Sequence, residues 1–189
     1  MSKELEIEFK NMLTKEEYVK LLADTKKTPI SQTNHYFDTK DFQLRRHKAA
    51  LRIRQIEDHY ECTLKTPAPV GNYETTDNLT SLQAGHILEG KQFDAPEVRA
   101  ELERLNVSPA ALKLIGSLTT YRAEVEYAGG LLVLDHSQYC GKEDYELEYE
   151  VTDEVVGKEA FFTLLKERAI PIRPADKKIA RFMAAAQQQ

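Results

Sequence analysis

The sequence predicts an α+β protein built on a closed, mainly antiparallel β-barrel with helices packed outside, and three observations lead there. Charged and apolar residues alternate through several short stretches, so each reads as a strand with one charged and one apolar face. These strands fall into two groups joined internally by hairpin-length links, which favours antiparallel pairing. Amphipathic helices starting at Thr14, Asp94 and Glu154 need an apolar sheet surface to cover. If the charged faces pointed outward, the apolar faces would have to meet as a sandwich. Closure instead turns the charge inward and leaves the apolar exterior to the helices.

Taken in order, Glu4–Lys10 is the opening strand, with Glu4, Glu6, Glu8 and Lys10 on one face and Leu5, Ile7 and Phe9 on the other. Thr14-Lys15-Glu16-Glu17 has the form of a capping box, and the helix it starts carries Tyr18, Leu21 and Leu22 and ends before Pro29. Gln32–Asp38 reads as a strand and Asp41–Arg46 as a turn of helix. The strands Ala49–Glu57 and Tyr60–Lys65 follow, joined at Asp58 and His59. Prolines and a glycine make residues 66–72 a loop. The middle reads as helical: Leu79–Leu88, a helix with Asp94 as its cap and Pro96 in its first turn, and a short helix from Ser108-Pro109 to Gly116. Strands return at Leu118–Tyr127, Leu131–His136 and Tyr145–Val151, with turns at Gly129-Gly130 and near Gly141. Helices over Glu154–Arg168 and Asp176–Ala186 end the chain. No repeat, linker or low-complexity tract divides it, so residues 1–189 are expected to form a single domain.

The charges on these strands are sorted. The strands holding Glu6 and Glu8, and Glu146, Glu148 and Glu150, are acidic, whereas Arg52 and Arg54 make their strand basic. Surface decoration mixes its signs, because like charges opposite each other on paired strands destabilise the sheet. Residues two apart on one face stand about 7 Å apart, within reach of a shared divalent cation or a polyanion held by such cations. Each ion desolvated without a partner would cost several kcal/mol, so a barrel filled with charge should be hydrated and hold metal and anion.

With 26 Lys and Arg against 31 Asp and Glu, the formal net charge is −5, which argues against general nucleic-acid binding and for a local anion pocket. Cys62 and Cys140, the only cysteines, fit neither a paired metal motif nor a disulfide framework, and Cys62 reads as a core residue. His35, His47, His59, His86 and His136 show no metal-ligand spacing. The absence of a signal-like start or a long apolar run leads to the expectation of a cytoplasmic protein without a membrane partner.

The ordered series Glu6-x-Glu8-x-Lys10, Tyr36-Phe37-Asp38-Thr39, Leu51-Arg52-Ile53-Arg54, Thr63-Leu64-Lys65, Arg122, Leu134-Asp135, Glu146-Leu147-Glu148 and Lys178 resembles the CYTH domain family, also called triphosphate tunnel metalloenzymes. The Y-F-D-T and Y-E-L-E segments look like a bacterial branch often labelled adenylate cyclase. The resemblance implies an eight-stranded antiparallel tunnel that binds a triphosphate-containing small molecule with Mg²⁺ or Mn²⁺. It assigns Glu6, Glu8, Glu146 and Glu148 as metal ligands, with Asp135 as a further one. Lys10, Arg52, Arg54, Lys65, Arg122 and Lys178 would bind phosphate oxygens, and Glu6, Glu8, Lys10 and Glu148 form the catalytic group. Lys177 is the substitute for Lys178 if the alignment slips by one, and Glu4 and Glu150 are expected at the rim.

After Thr63-Leu64-Lys65 many family members carry an R-x-E-type segment; this chain has Gly71-Asn72-Tyr73-Glu74-Thr75-Thr76, in which Glu74 stands for the acidic member and the arginine is missing. The expected reaction is metal-dependent hydrolysis of a terminal phosphate, most simply from inorganic triphosphate. Thiamine triphosphate has less support because the chain has no Trp to stack on its ring, although nine Tyr are present. Cyclisation of ATP and a non-catalytic triphosphate or polyphosphate sensor are the alternatives.

Overall fold

The computed structural model describes residues 3–187. Eight strands follow one another as β1 (Lys3–Leu13), β2 (Ile30–Thr39), β3 (Ala50–Ile56), β4 (His59–Pro67), β5 (Asn72–Leu79), β6 (Leu112–Tyr127), β7 (Gly130–Tyr139) and β8 (Lys142–Val151). Among the described residues six α-helices accompany them: α1 (Lys15–Thr25), α2 (Gln43–Arg46), α3 (Ser81–Leu88) and α4 (Pro96–Arg104) between strands, and α5 (Glu154–Glu167) and α6 (Lys178–Ala186) after the last. The hydrogen-bonded order β1-β5-β4-β3-β2-β6-β7-β8 closes on itself as an antiparallel barrel, the predicted fold class. The chain gathers into two compact units: residues up to Leu5 with Gln32–Leu118, and Glu6–Ser31 with Thr119 onward.

In the first unit, the apolar faces of β3 and β4 bury Leu51, Ile53, Cys62 and Leu64 completely, and these pack with Leu44 of α2, Ala84 and Ile87 of α3, and Val98 and Leu102 of α4. Cys62 is therefore a core residue, and burial pushes its thiol pKa up. In the second unit, Leu134, Leu147 and Tyr149 pack with Tyr18 and Leu21 of α1 and Phe161, Leu164 and Leu165 of α5. Period-2 alternation thus gives β3, β4, β7 and β8 an apolar face under helices and a polar or charged face on the opposite side.

Local signals set several helix starts. Thr14 Oγ1 accepts the Glu17 N–H at 3.2 Å while Glu17 returns a carboxylate oxygen to the Thr14 N–H at 2.8 Å, the expected capping box. Thr80 and Gln83 repeat the motif before α3, so that helix starts at Ser81 rather than at Leu79, which ends β5.

Three further expectations need correction. The loop expected over residues 66–72 is confined to a turn, because Pro67 ends β4 and Asn72 starts β5, a strand that the sequence does not announce. Asp94 does not cap α4; Asp77 on β5 does, accepting the Val98 N–H at 2.9 Å and the Glu97 N–H at 3.3 Å. The short helix expected from Ser108 to Gly116 is only a 3₁₀ turn over Pro109–Ala111. The chain is already extended from Leu112, where long strand pairing outweighs local propensity.

Candidate functional site

The charged face of the second unit is assembled by strand register. Lys10 on β1 stands opposite Glu148 on β8, Glu8 opposite Glu150, and Met12 opposite Glu146. On the other side of β8, Val133 faces Glu148 and Asp135 faces Glu146, and Arg122 on β6 faces Asp135. Directly opposed residues share a face, so Glu8, Lys10, Arg122, Asp135, Glu146 and Glu148 converge. α6 adds Lys178 to the same face.

Asp135 and Glu146 are fully buried and Glu148 is 3% exposed. An oxygen from each lies within 4.8 Å of the others, the single such group of potential metal ligands among the described residues. Lys178 Nζ sits among them, 2.8 Å from Asp135 and 2.8 Å from Glu146 and in contact with Glu148. Arg122 donates Nε and Nη2 to the two oxygens of Asp135 at 2.8 and 2.7 Å, and Nη2 also to Glu148 at 2.8 Å. Lys10 Nζ is 3.0 Å from Glu8 and 3.3 Å from Glu148. Such density of buried charge is tolerable only because every ion has opposite charges at contact distance.

The same contacts set the protonation states. Burial opposes ionisation of Glu148, yet Lys178, Lys10 and Arg122 outweigh it and hold the carboxyl well below the usual range. Burial likewise works against ionised Asp135, and Lys178 and Arg122 keep its pKa low. Lys178 and Lys10 lose hydration on burial, but the carboxylates around them hold both above the ordinary lysine value. Glu150 differs: burial first, then the charges of Glu6, Glu148 and Glu8, raise it to about 7 against the pull of Arg122. It lies within this row and is half-buried, whereas Glu4 is exposed.

One oxygen of the Asp135, Glu146 and Glu148 group stands apart. Glu146 Oε1 is buried and accepts no hydrogen bond, while Oε2 of the same carboxylate is 2.8 Å from both Lys178 and Arg181. A buried anionic oxygen without a donor is costly. Hard carboxylate oxygens in this arrangement fit a hard divalent cation, and no histidine or cysteine belongs to the group.

The charged face of the first unit is basic. Arg52 pairs in register with Thr63, Arg54 with Glu61, and Lys65 with Glu74. Lys65 Nζ is 2.8 Å from Glu74 and Arg52 is 4.0 Å from it, while Arg54 Nε donates to Asn34 at 3.3 Å. Arg52 Nε is buried without an acceptor. Burial raises the pKa of Glu74, but Lys65 and Arg52 more than reverse this and keep it below the ordinary value. Glu74 therefore spends its charge on those two cations, with Thr75 behind it buried on the opposite side of the strand.

Within the second unit the structure brings together Glu8, Lys10, Arg122, Asp135, Glu146, Glu148 and Lys178; Glu6 stands half-buried two residues before Glu8. Lys178 meets the carboxylates; its contacts here are with acids. Sequence reading missed Asp144 and Arg181. Arg181 Nε donates to Asp144 at 2.9 Å and Nη2 to Glu146 at 2.8 Å. The available signals were the i,i+3 spacing of Lys178 and Arg181 and the position of Asp144 two residues before Glu146.

A closed antiparallel barrel that carries a buried carboxylate row with matching cations defines a class of β-barrels with sorted charge on their strands. The CYTH domain family model matches residues 4–183, and the chain belongs to that family. It is 47% identical over 187 residues to the Bacillus subtilis protein named "Putative triphosphatase YjbK", covering 96% of each chain. The crystal structure of a "putative adenylate cyclase" from Bacillus halodurans superposes with a TM-score of 0.92 at 42% identity, covering 96% of this chain and 99% of that one. A Hippeastrum protein, HpAC1, shares the fold with a TM-score of 0.78 at 23% identity, covering 95% and 96%.

Proposed function

We propose that this chain hydrolyses the terminal phosphate of a triphosphate, most simply inorganic triphosphate, with Mg²⁺ or Mn²⁺ as cofactor. The observation that carries the reading is the buried, donor-free Glu146 Oε1 within the Asp135–Glu146–Glu148 group, an arrangement suited to a divalent cation. The 47% identity to a relative named as a triphosphatase supports the choice of reaction.

Glu146 and Glu148, with Glu6 and Glu8, are the proposed metal ligands. Asp135 completes the group while holding Arg122 and Lys178. When bound, the metal supplies charge neutralisation at phosphate oxygens and lowers the pKa of a coordinated water. Glu148 is kept ionised by three cations, so it serves as a ligand rather than as a proton donor. Lys10, Arg122 and Lys178 are held charged, and with Arg52, Arg54 and Lys65 they are assigned to phosphate oxygens. Guanidinium groups grip phosphate bidentately, and the buried Arg52 Nε is a donor ready for such an oxygen. Fixed cations facing the leaving phosphate stabilise the charge that develops in an in-line displacement.

The test is colorimetric phosphate release from triphosphate, ATP and thiamine triphosphate under Mg²⁺ and Mn²⁺, with Lys10→Ala and Glu148→Gln as controls. Metal-dependent orthophosphate release from triphosphate, lost in both variants, is expected. Exclusive pyrophosphate release from ATP would replace the proposal with a cyclase, and binding without turnover would replace it with a sensor.

A further inference from the structure

Helix α6 delivers two cations to the carboxylate row from positions one turn apart, Lys178 and Arg181, while Phe182 and Ala185 bury its apolar side. They act on Glu146 differently. Lys178 is a point charge shared by three carboxylates. Arg181 is a planar fork, only 12% exposed, spanning two carboxylates on one face of β8: Nε reaches Asp144 at 2.9 Å and Nη2 reaches Glu146 Oε2 at 2.8 Å. Nη1 donates to the backbone carbonyl of Asp176, and the Tyr139 hydroxyl donates to Asp144 at 2.5 Å. The guanidinium is thus anchored on Asp144 and on the Asp176 carbonyl before it meets Glu146, and Tyr139 in turn holds Asp144.

Both cations contact the same oxygen, Oε2, and Oε1 is left buried and unbonded. A carboxylate free to rotate would exchange its two oxygens. Held at Oε2 by a rigid fork, it presents Oε1 consistently. From this we propose that Arg181 is a positioning residue that locks Glu146 so that Oε1 faces the divalent cation. The inference rests on the metal reading given above and adds the residue that orients one of its ligands. Groups that hydrogen-bond a metal's ligands typically contribute 10–100-fold to metal affinity.

The sign of the effect discriminates. If Arg181 were merely a positive charge near the site, its removal would relieve repulsion and tighten cation binding. If it positions Glu146, removal weakens binding.

The experiment is Mn²⁺ titration by calorimetry without substrate on the full chain, the Arg181→Gln and Arg181→Lys variants, with thermal melts confirming the fold. Roughly 10–100-fold weaker Mn²⁺ binding is expected for Arg181→Gln. Arg181→Lys, which keeps the charge but cannot bridge Asp144 and Glu146, should also bind more weakly than the parent. Unchanged or tighter binding by Arg181→Gln overturns the proposal, as does parental affinity in Arg181→Lys. Should Arg181→Gln fail to fold, the lysine variant alone decides. A parent chain that binds no Mn²⁺ removes the metal reading and this inference together, whereas a parent that binds normally with insensitive variants removes the inference alone.

Discussion

Replacing Glu148 with Gln keeps the side chain's shape and deletes one charge from the centre of the carboxylate row. Three cations contact Glu148, and each retains another partner: Lys10 keeps Glu8 at 3.0 Å, Arg122 keeps Asp135 at 2.7 Å, and Lys178 keeps Asp135 and Glu146 at 2.8 Å. Removing one member of a buried pair costs about 3–5 kcal/mol when its partner is stranded. No partner is stranded here, so the loss falls below that range, to about 1.5–3 kcal/mol, as for a hydrogen bond to a charged group. At roughly 2–4 °C per kcal/mol for a chain of this size, the melting temperature should fall by about 3–12 °C.

The pH dependence of this loss has a definite sign. Glu148 has a folded-state pKa well below the ordinary 4.5, so its contribution is complete above that value and disappears as pH falls through the folded value. Thermal melts followed by circular dichroism should therefore show a constant gap between parent and variant from pH 5 to 8, closing in stronger acid. Equal melting temperatures at pH 7, or a gap that widens on acidification, would refute the ion-pair account.

Two further perturbations address other parts of the structure. Asp77→Ala removes the carboxylate that accepts the Glu97 and Val98 N–H groups at the start of α4. It should cost about 1–2 kcal/mol, seen as a lower urea midpoint with Mn²⁺ affinity unchanged. Glu150 has a folded pKa raised to about 7, so its contribution is full below 4.5 and is lost as pH rises through about 7. Glu150→Gln should accordingly gain stability over the parent between pH 5 and 8 in urea titrations; a pH-independent difference would contradict the burial of Glu150 beside Glu6, Glu148 and Glu8.

What the sequence reveals follows from which signals are local. Alternation in Glu6-x-Glu8-x-Lys10 and Glu146-x-Glu148 is a property of the strand itself, so the charged faces and their helix-covered backs are legible before folding. β5 is not, because Glu74, Thr76 and Asn78 are polar on one face while Thr75 and Asp77 are polar on the other. Asp77 points into the helix layer to cap α4, which erases the apolar alternation. Arg181 reads as an ordinary helical cation until tertiary contact sets it on Asp144 and Glu146. The extension of β6 back to Leu112 depends on pairing with distant chain, which a proline-initiated turn cannot foretell.

A crystal grown with Mn²⁺ and tripolyphosphate tests the central claim most directly, through the anomalous signal of the metal. The account predicts a peak about 2.0–2.2 Å from Glu146 Oε1, with Glu148 among its ligands and phosphate oxygens bound to the metal and to arginine and lysine side chains. A peak confined to exposed carboxylates, with Glu146 Oε1 still lacking any ligand, would contradict it.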